Sequence, residues 1–341
     1  MIQTTSQLER YLKTINSDSR LAIDTEFKRI NTYYPQLCLV QIATTHSLEC
    51  IDVLSINDLE PLFEKLYRSK TEWIVHSARQ DIEAFYHLSK RIPVSLFDTQ
   101  IAASLLNYPL QISYQLITEV LQDIQLDKSF TRFDWTTRPL PADVVEYALD
   151  DVRYLLPNFE KLKHELTISK KIQWLDEETR FLLDQDLYEP SIEKICYKTK
   201  GLSQLGKKFQ DKAIKLAAWR ENNAQQKNKP RKWIMSDEKL LDYACGKNKL
   251  STRSEKLFDN FVKDTSETFT LSKMLTPQKP LTRSEKSKKN ELQRIINSLG
   301  EAYNLPPEVI STSKSLIQFI RGDLSAPLCG GWRAKLFNKE K

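Results

Sequence analysis

Glycine and histidine are both scarce, with seven glycines and four histidines in 341 residues. So little glycine, beside 40% hydrophobic and 28% charged residues, excludes fibrous and disordered chains and describes a soluble, helix-rich globular protein. His46, His76, His87 and His164 show no His-x3-His spacing, which argues against an imidazole-rich metal site. Cys38, Cys50, Cys196, Cys245 and Cys329 are odd in number, widely spaced and free of any Cys-x-x-Cys pair. Neither a disulfide framework nor a thiolate zinc site is therefore expected, and any metal would have to be held by oxygen. No run approaches the roughly 18 uninterrupted apolar residues of a membrane span. Met1–Arg20 lacks the basic-then-apolar pattern of a secretory signal. These absences predict a cytoplasmic protein with no membrane partner.

What the chain does have is charge, unevenly placed. Residues 1–190 hold 20 Lys+Arg against 29 Asp+Glu, a net of −9, whereas residues 191–341 hold 31 against 16, a net of +15. An acidic half joined to a basic half suits a catalytic unit that collects cations, tethered to a unit that collects polyanions such as nucleic acid. Lysine-rich helices that are merely solvated would give the same count. The length exceeds that of one domain and predicts two or three compact units.

The first half alternates short β-branched runs with helical periodicity, the pattern of an α/β domain. Strands are expected from Leu21 into Asp24 and over 37–43, 48–53, 73–76 and 94–97, with helices over 57–67, 80–88, 98–106 and 113–121. A polar, Arg-rich loop over 127–139 precedes a helix from Pro141, where proline and Asp143 suit a first turn. Pro157 is expected to end or kink that helix near Leu156 before a second helix resumes and runs to Leu166. An acidic helix over 176–186 leads to a break at Glu189-Pro190. Beyond it the pattern is all helical: 213–225, a helix opened by Ser236 and closed by Gly246, a linker at Thr276–Pro280, then 286–298, 307–311 and 313–320. The last 60 residues look like a weak second copy of the preceding helical unit.

Asp24-Thr25-Glu26 closes the first apolar strand, and a period of two places both carboxylates on one face. Two carboxylates so close repel unless cations neutralise them. Asp-x-Glu is nevertheless common, and equally describes a solvated strand end. Asp81 follows the fourth strand at the start of a helix, where an ordinary capping role fits as well as a functional one. Tyr147 and Asp151 stand four apart and share a helix face.

Taken in order with the words around them, these three segments resemble the exonuclease motifs of the DEDD superfamily, in its tyrosine-bearing subgroup. The likeness extends to the ribonuclease D family. It covers Tyr33-Tyr34-Pro35-Gln36-Leu37-Cys38-Leu39-Val40-Gln41, Phe97-Asp98-Thr99-Gln100, Leu126-Asp127-Lys128-Ser129, Asp134-Trp135 and Arg138-Pro139-Leu140. Glu146-Tyr147-Ala148, Asp151-Val152 and Tyr154-Leu155-Leu156-Pro157 complete it. Leu216-Ala217-Ala218-Trp219-Arg220-Glu221, followed by Trp233-Ile234-Met235-Ser236-Asp237, is similar to an HRDC domain, a small helical module that binds nucleic acid. Residues 281–341, ending in Gly331-Trp332-Arg333, resemble a second, diverged HRDC-like unit.

The resemblance implies a ribonuclease H-like mixed sheet flanked by helices, followed by all-α domains. Its implied boundaries are an exonuclease domain at 1–168, a helical linker at 169–205, an HRDC domain at 206–280 and the diverged copy at 281–341. It further implies a monomeric 3′-to-5′ exoribonuclease that trims tRNA precursors and other structured RNA and needs no small-molecule cofactor. Asp24, Glu26, Asp81 and Asp151 would hold two divalent ions, Mg²⁺ or Mn²⁺, the choice that hard oxygen donors favour. Tyr147 would orient the attacking water, since a phenol with a pKa near 10 is a poor base. Asp150 points about 100° away from Asp151 around the helix and is set aside. Asp98 is assigned to capping its own helix. Lys128, Arg132 and Arg138 are placed either for phosphate contacts or for pairing with Asp127 and Asp134. His76 reads as a packed strand-end residue. Two other readings stand beside this one: a 3′-to-5′ DNA exonuclease with the same acids, and a nucleic-acid-binding scaffold without catalysis, whose sign would be a missing acid. None is missing.

Overall fold

The computed structural model describes residues 1–17, 19–127, 129–265, 275, 277 and 279–338. Lys128, and Thr276 and Gln278 of the expected linker, lie outside them. Chain packing defines two compact units: Met1–Lys28, Gln36–Asp184 and Leu281–Lys341 form the first, Arg29–Pro35 and Gln185–Pro280 the second.

The first unit is built on one mixed sheet. Its strands are β1 (Arg20–Lys28), β2 (Gln36–Ala43), β3 (Leu48–Asp52), β4 (Glu72–Val75) and β5 (Ser95–Asp98), in the order β3-β2-β1-β4-β5. β1, β2 and β3 pair antiparallel, and β4 and β5 run parallel to β1. β2 is buried at every residue after Gln36, as expected of a strand covered on both faces. The β1–β2 register shifts between Glu26 and Phe27, a bulge that bends the strand just beyond the Asp-x-Glu pair.

Helices cover the sheet. α1 (Thr5–Thr14) arises in the polar N-terminus, where no helix is expected from the sequence; Thr4 and Gln7 close a capping box at its start, and its buried Leu8, Tyr11 and Leu12 recur at helical spacing. α2 (Glu60–Leu66), α3 (Arg79–Ser89), α4 (Thr99–Leu105) and α5 (Tyr114–Gln122) fall where periodicity places them. α6 (Ala142–Arg153) packs against β1, β2 and β3. The chain breaks at Tyr154 and resumes as α7 (Leu155–Ile168). The break expected near Leu156 thus falls at Tyr154 and a second helix resumes after it; Pro157 sits in the first turn of α7, and its missing N–H leaves the carbonyl of Arg153, the last residue of α6, without a donor four residues on. α8 (Ile172–Thr179) starts and stops earlier than the acidic pattern implies and gives way to short 3₁₀ turns.

The second unit contains α9 (Ile192–Tyr197), α10 (Lys207–Gln226), α11 (Arg231–Ile234), α12 (Asp237–Cys245) and α13 (Thr252–Thr265). Ala213, Ile214, Ala217 and Trp219 of α10 form its core with Leu240, Ala244 and Phe258. Glu221 is wholly buried; Arg231 and the Tyr33 hydroxyl both donate to it.

α14 (Arg283–Tyr303), α15 (Pro307–Ile310), α16 (Ser313–Ile320) and α17 (Gly331–Phe337) return to the first unit. Leu292, Ile296, Leu299, Trp332 and Phe337 join one apolar cluster with Phe97, Ala102, Phe159 and Leu175. Trp332 stacks on Trp174 of α8 with ring centroids 4.5 Å apart, and its indole N–H donates to Glu178 at 2.8 Å. Among the described residues no helix is long and apolar enough to cross a membrane.

Candidate active site

β1 and α6 assemble the acidic centre. Alternation along β1 turns Asp24 and Glu26 to one face, and α6, lying on that sheet, delivers Asp151. One carboxylate oxygen from each of Asp24, Glu26 and Asp151 lies within 4.8 Å of the other two. Asp81, the third residue of α3, adjoins this group without joining it at that spacing. Its buried carboxylate accepts a hydrogen bond from the Thr25 hydroxyl on the opposite face of β1. The capping alternative does not hold for Asp81, because Ala78 occupies the N-cap and no side chain caps α3. Sequence reasoning misses Thr25; its only signal is its place between the two acids.

All four carboxyls are held well above the ordinary range. Burial is the largest cause for Asp24, followed by the charges of Asp81, Asp151 and Glu26. Burial and the charges of Asp151 and Asp81 push Glu26 up to about 9. Burial also raises Asp81 to about 7, against the lowering hydrogen bond from Thr25. Asp151 rises to about 7 through burial and neighbouring Asp150. Removal from water and crowding of like charge both disfavour ionisation. The nearby cations are engaged elsewhere: Lys28 pairs with Asp134 at 2.9 Å, Arg153 with Asp150 at 2.9 Å, and Arg138 with Asp52 at 2.6 Å. Carboxyls gathered so closely, with no counter-charge among the described residues, suit one or more divalent cations with hard oxygen preference.

Tyr147 lies one turn before Asp151, its ring 5.8 Å from Phe130 and 6.5 Å from Trp135 between centroids. Burial and the charge of Asp151 raise its phenol to about 12, so it keeps its proton and serves as a hydrogen-bonding group. Asp98 caps α4 through the Gln100 and Ile101 amides, and also receives the Ser77 and Ala78 amides. His76 is packed at the strand end: Nδ1 meets Thr99 Oγ1 and Nε2 meets the Ile112 carbonyl, each at 2.9 Å.

Arg138 follows neither expected path. It grips buried Asp52 with two nitrogens at 2.6 and 2.8 Å and reaches the carbonyls of Cys38, Trp135 and Thr137. Asp134 turns to Lys28 instead. The planar guanidinium fork meets the Asp52 carboxylate with two nitrogens and shares its remaining N–H donors among three carbonyls. Arg132 is exposed.

Mixed sheet, covering helices and a converged acidic cluster define a 3′-5′ exonuclease, and residues 1–167 match the 3′-5′ exonuclease domain family. Ribonuclease D of Bartonella henselae is 34% identical over 100% of this chain and 88% of its own length. Ribonuclease D of Jannaschia sp. is 30% identical over 99% of this chain and 93% of its own. The crystal structure of Escherichia coli RNase D, an exoribonuclease involved in structured RNA processing, superposes with a TM-score of 0.86 at 26% identity, covering 99% of this chain and 96% of that one. The chain belongs to the ribonuclease D family and is an exoribonuclease. Exonucleases of this kind depend on divalent metal, for which the acidic cluster supplies the donors.

Proposed function

We propose that this chain shortens RNA from its 3′ end, one nucleotide at a time, releasing nucleoside 5′-monophosphates. The observation that carries the reading is the convergence of Asp24, Glu26 and Asp151 within 4.8 Å, with Tyr147 one helical turn away on α6. In this reading Asp24, Glu26, Asp81 and Asp151 hold two divalent ions, Mg²⁺ or Mn²⁺. Two such ions, when bound, supply Lewis acidity to the attacking and the leaving oxygens of an in-line displacement. Tyr147 donates its hydroxyl hydrogen bond to the incoming water and fixes its line of approach. The aromatic wall of Phe130 and Trp135 keeps that ring in place.

Residues 206–280 and 281–341 are read as an HRDC domain and a diverged copy, with 169–205 as the helical linker between the catalytic domain at 1–168 and the first of them. The basic side chains of 206–280 are assigned to the RNA backbone. Transfer RNA precursors, and other structured RNA with accessible 3′ ends, are the proposed substrates of a cytoplasmic monomer. Support for that choice comes from the structured-RNA role of the Escherichia coli enzyme. Matched RNA and DNA oligonucleotides labelled at either end, digested with Mg²⁺ or Mn²⁺ and again with EDTA, test direction, product, sugar and metal together. Mononucleotide release from the 3′ end of RNA, abolished by EDTA, is expected. Preferential digestion of DNA, or turnover that survives chelation, would overturn the reading.

A further inference from the structure

Gln41 of β2 stands directly across the antiparallel ladder from Asp24, and Cys50 of β3 stands across from Gln41 on its other side. Cross-strand partners project from the same face with Cβ atoms about 5 Å apart. Asp24, Gln41 and Cys50 therefore form a row beneath α6, whose Val145 carbonyl lies 4.0 Å from Cys50 Sγ. Gln41 is 0% exposed, yet neither its Nε2 nor its Oε1 has a hydrogen-bond partner among the described residues. Buried amides in folded proteins are almost always paired, because an unpaired one forfeits the hydrogen bonds water gave it. An apolar side chain of similar size would fill this position without that loss.

We propose that Gln41 is a positioning residue for the metal centre: its buried carboxamide N–H, across the ladder from Asp24, engages the Asp24 carboxylate when that carboxylate turns to a divalent cation. The proposal rests on reading Asp24, Glu26 and Asp151 as cation ligands. An amide N–H is a natural donor to a carboxylate oxygen that the cation leaves free. Bound to an oxygen of a ligand, it fixes that ligand's orientation and so sets the affinity for the ion. The chemistry of the side chain fits this task. A lysine or arginine opposite Asp24 would neutralise it and compete with the cation, whereas a carboxamide orients the carboxylate and adds no charge.

The test is calorimetric titration of Mn²⁺ into full-length, EDTA-stripped protein, comparing wild type with Gln41→Met. The variant is expected to bind Mn²⁺ about 10–100-fold more weakly, while its metal-free unfolding temperature equals or exceeds that of wild type because the unpaired amide is gone. A merely structural Gln41 would move the second quantity and not the first, so undiminished Mn²⁺ affinity overturns the proposal. Should Gln41→Met fail to fold, the wild-type protein decides through its ¹⁵N-labelled glutamine side chains. The assigned Gln41 amide signal must move on titration with Mg²⁺, and an unmoved signal overturns the proposal. Absence of any Mn²⁺ binding by wild type would instead overturn the reading of the acidic cluster, and this inference with it.

Discussion

Asp151 makes opposite contributions to folding and to chemistry. Its carboxyl is raised to about 7 by burial and by Asp150, from about 3.9 in an unfolded chain. A raised folded-state pKa means that the native state holds its proton longer. The associated stability is complete below about pH 4 and is lost as pH climbs through about 7. Asp151→Asn removes this loss. In EDTA the variant is expected to melt higher than wild type at pH 8, by roughly 2–4 °C if about 1 kcal/mol of strain is relieved, with no gain at pH 4. The same substitution would remove a proposed metal ligand, and on that reading should lower kcat at least about a hundredfold, since an ion supplies several kcal/mol of transition-state stabilisation. Thermal scans at the two pH values, paired with single-turnover assays, read both effects. A variant less stable than wild type at pH 8 in EDTA would show that neither burial of the charge nor the neighbouring Asp150 strains this group.

At the scale of elements, β1 keys two helices at once. One face presents Asp24 and Glu26 toward α6, and the other presents Thr25 to Asp81 of α3. Thr25→Val keeps the shape of the side chain and deletes the donor. Asp81 would then lose its side-chain donor and keep only backbone ones, at a cost of about 1 kcal/mol, and its carboxyl would rise above its present value near 7, because the Thr25 hydroxyl hydrogen bond lowers it. Urea unfolding in EDTA measures the first. A shift of the acidic limb of the rate profile to higher pH measures the second, and an unmoved limb would remove Asp81 from the centre. How much of this was legible follows from what each feature depends on. The strands carrying Asp24 and Glu26, the helix pairing Tyr147 with Asp151 and the cap at Asp98 all rest on local periodicity, and the sequence displays that directly. The grip of Arg138 on Asp52, the Thr25–Asp81 bond and the unpaired amide of Gln41 depend on which distant strands and helices meet, so no window of sequence contains them. The helix break near Leu156 is legible because Pro157 announces it, and it falls two residues earlier, at Tyr154, because proline denies a donor to the carbonyl four residues before it, that of Arg153.

The molecule as a whole separates catalysis from charge. Residues 185–280 carry 20 Lys+Arg against 12 Asp+Glu, whereas the final segment, 281–341, lends Leu292, Ile296 and Trp332 to the apolar cluster of the first unit. The basic character of the second unit is therefore the part free to act on a polyanion. Within it Lys227, Lys229 and Lys232 are exposed around the proline turn, and Lys229 Nζ lies 5.8 Å from the ring centroid of Trp233, which is 54% exposed. Neutralising lysines that pair with phosphate releases fewer counterions on binding, so log K against log salt should flatten by roughly 0.7 for each phosphate that loses its cation on single-stranded RNA. The variant Lys227→Gln, Lys229→Gln, Lys232→Gln is expected to lower the slope by up to about 2 on that count and to raise KM while leaving kcat intact, since none of the three lies near the acidic cluster in sequence or belongs to the first unit. Filter binding at a series of KCl concentrations measures the slope. If it matches wild type, these lysines are solvated surface, and the excess positive charge of the second unit must be assigned to other side chains within it.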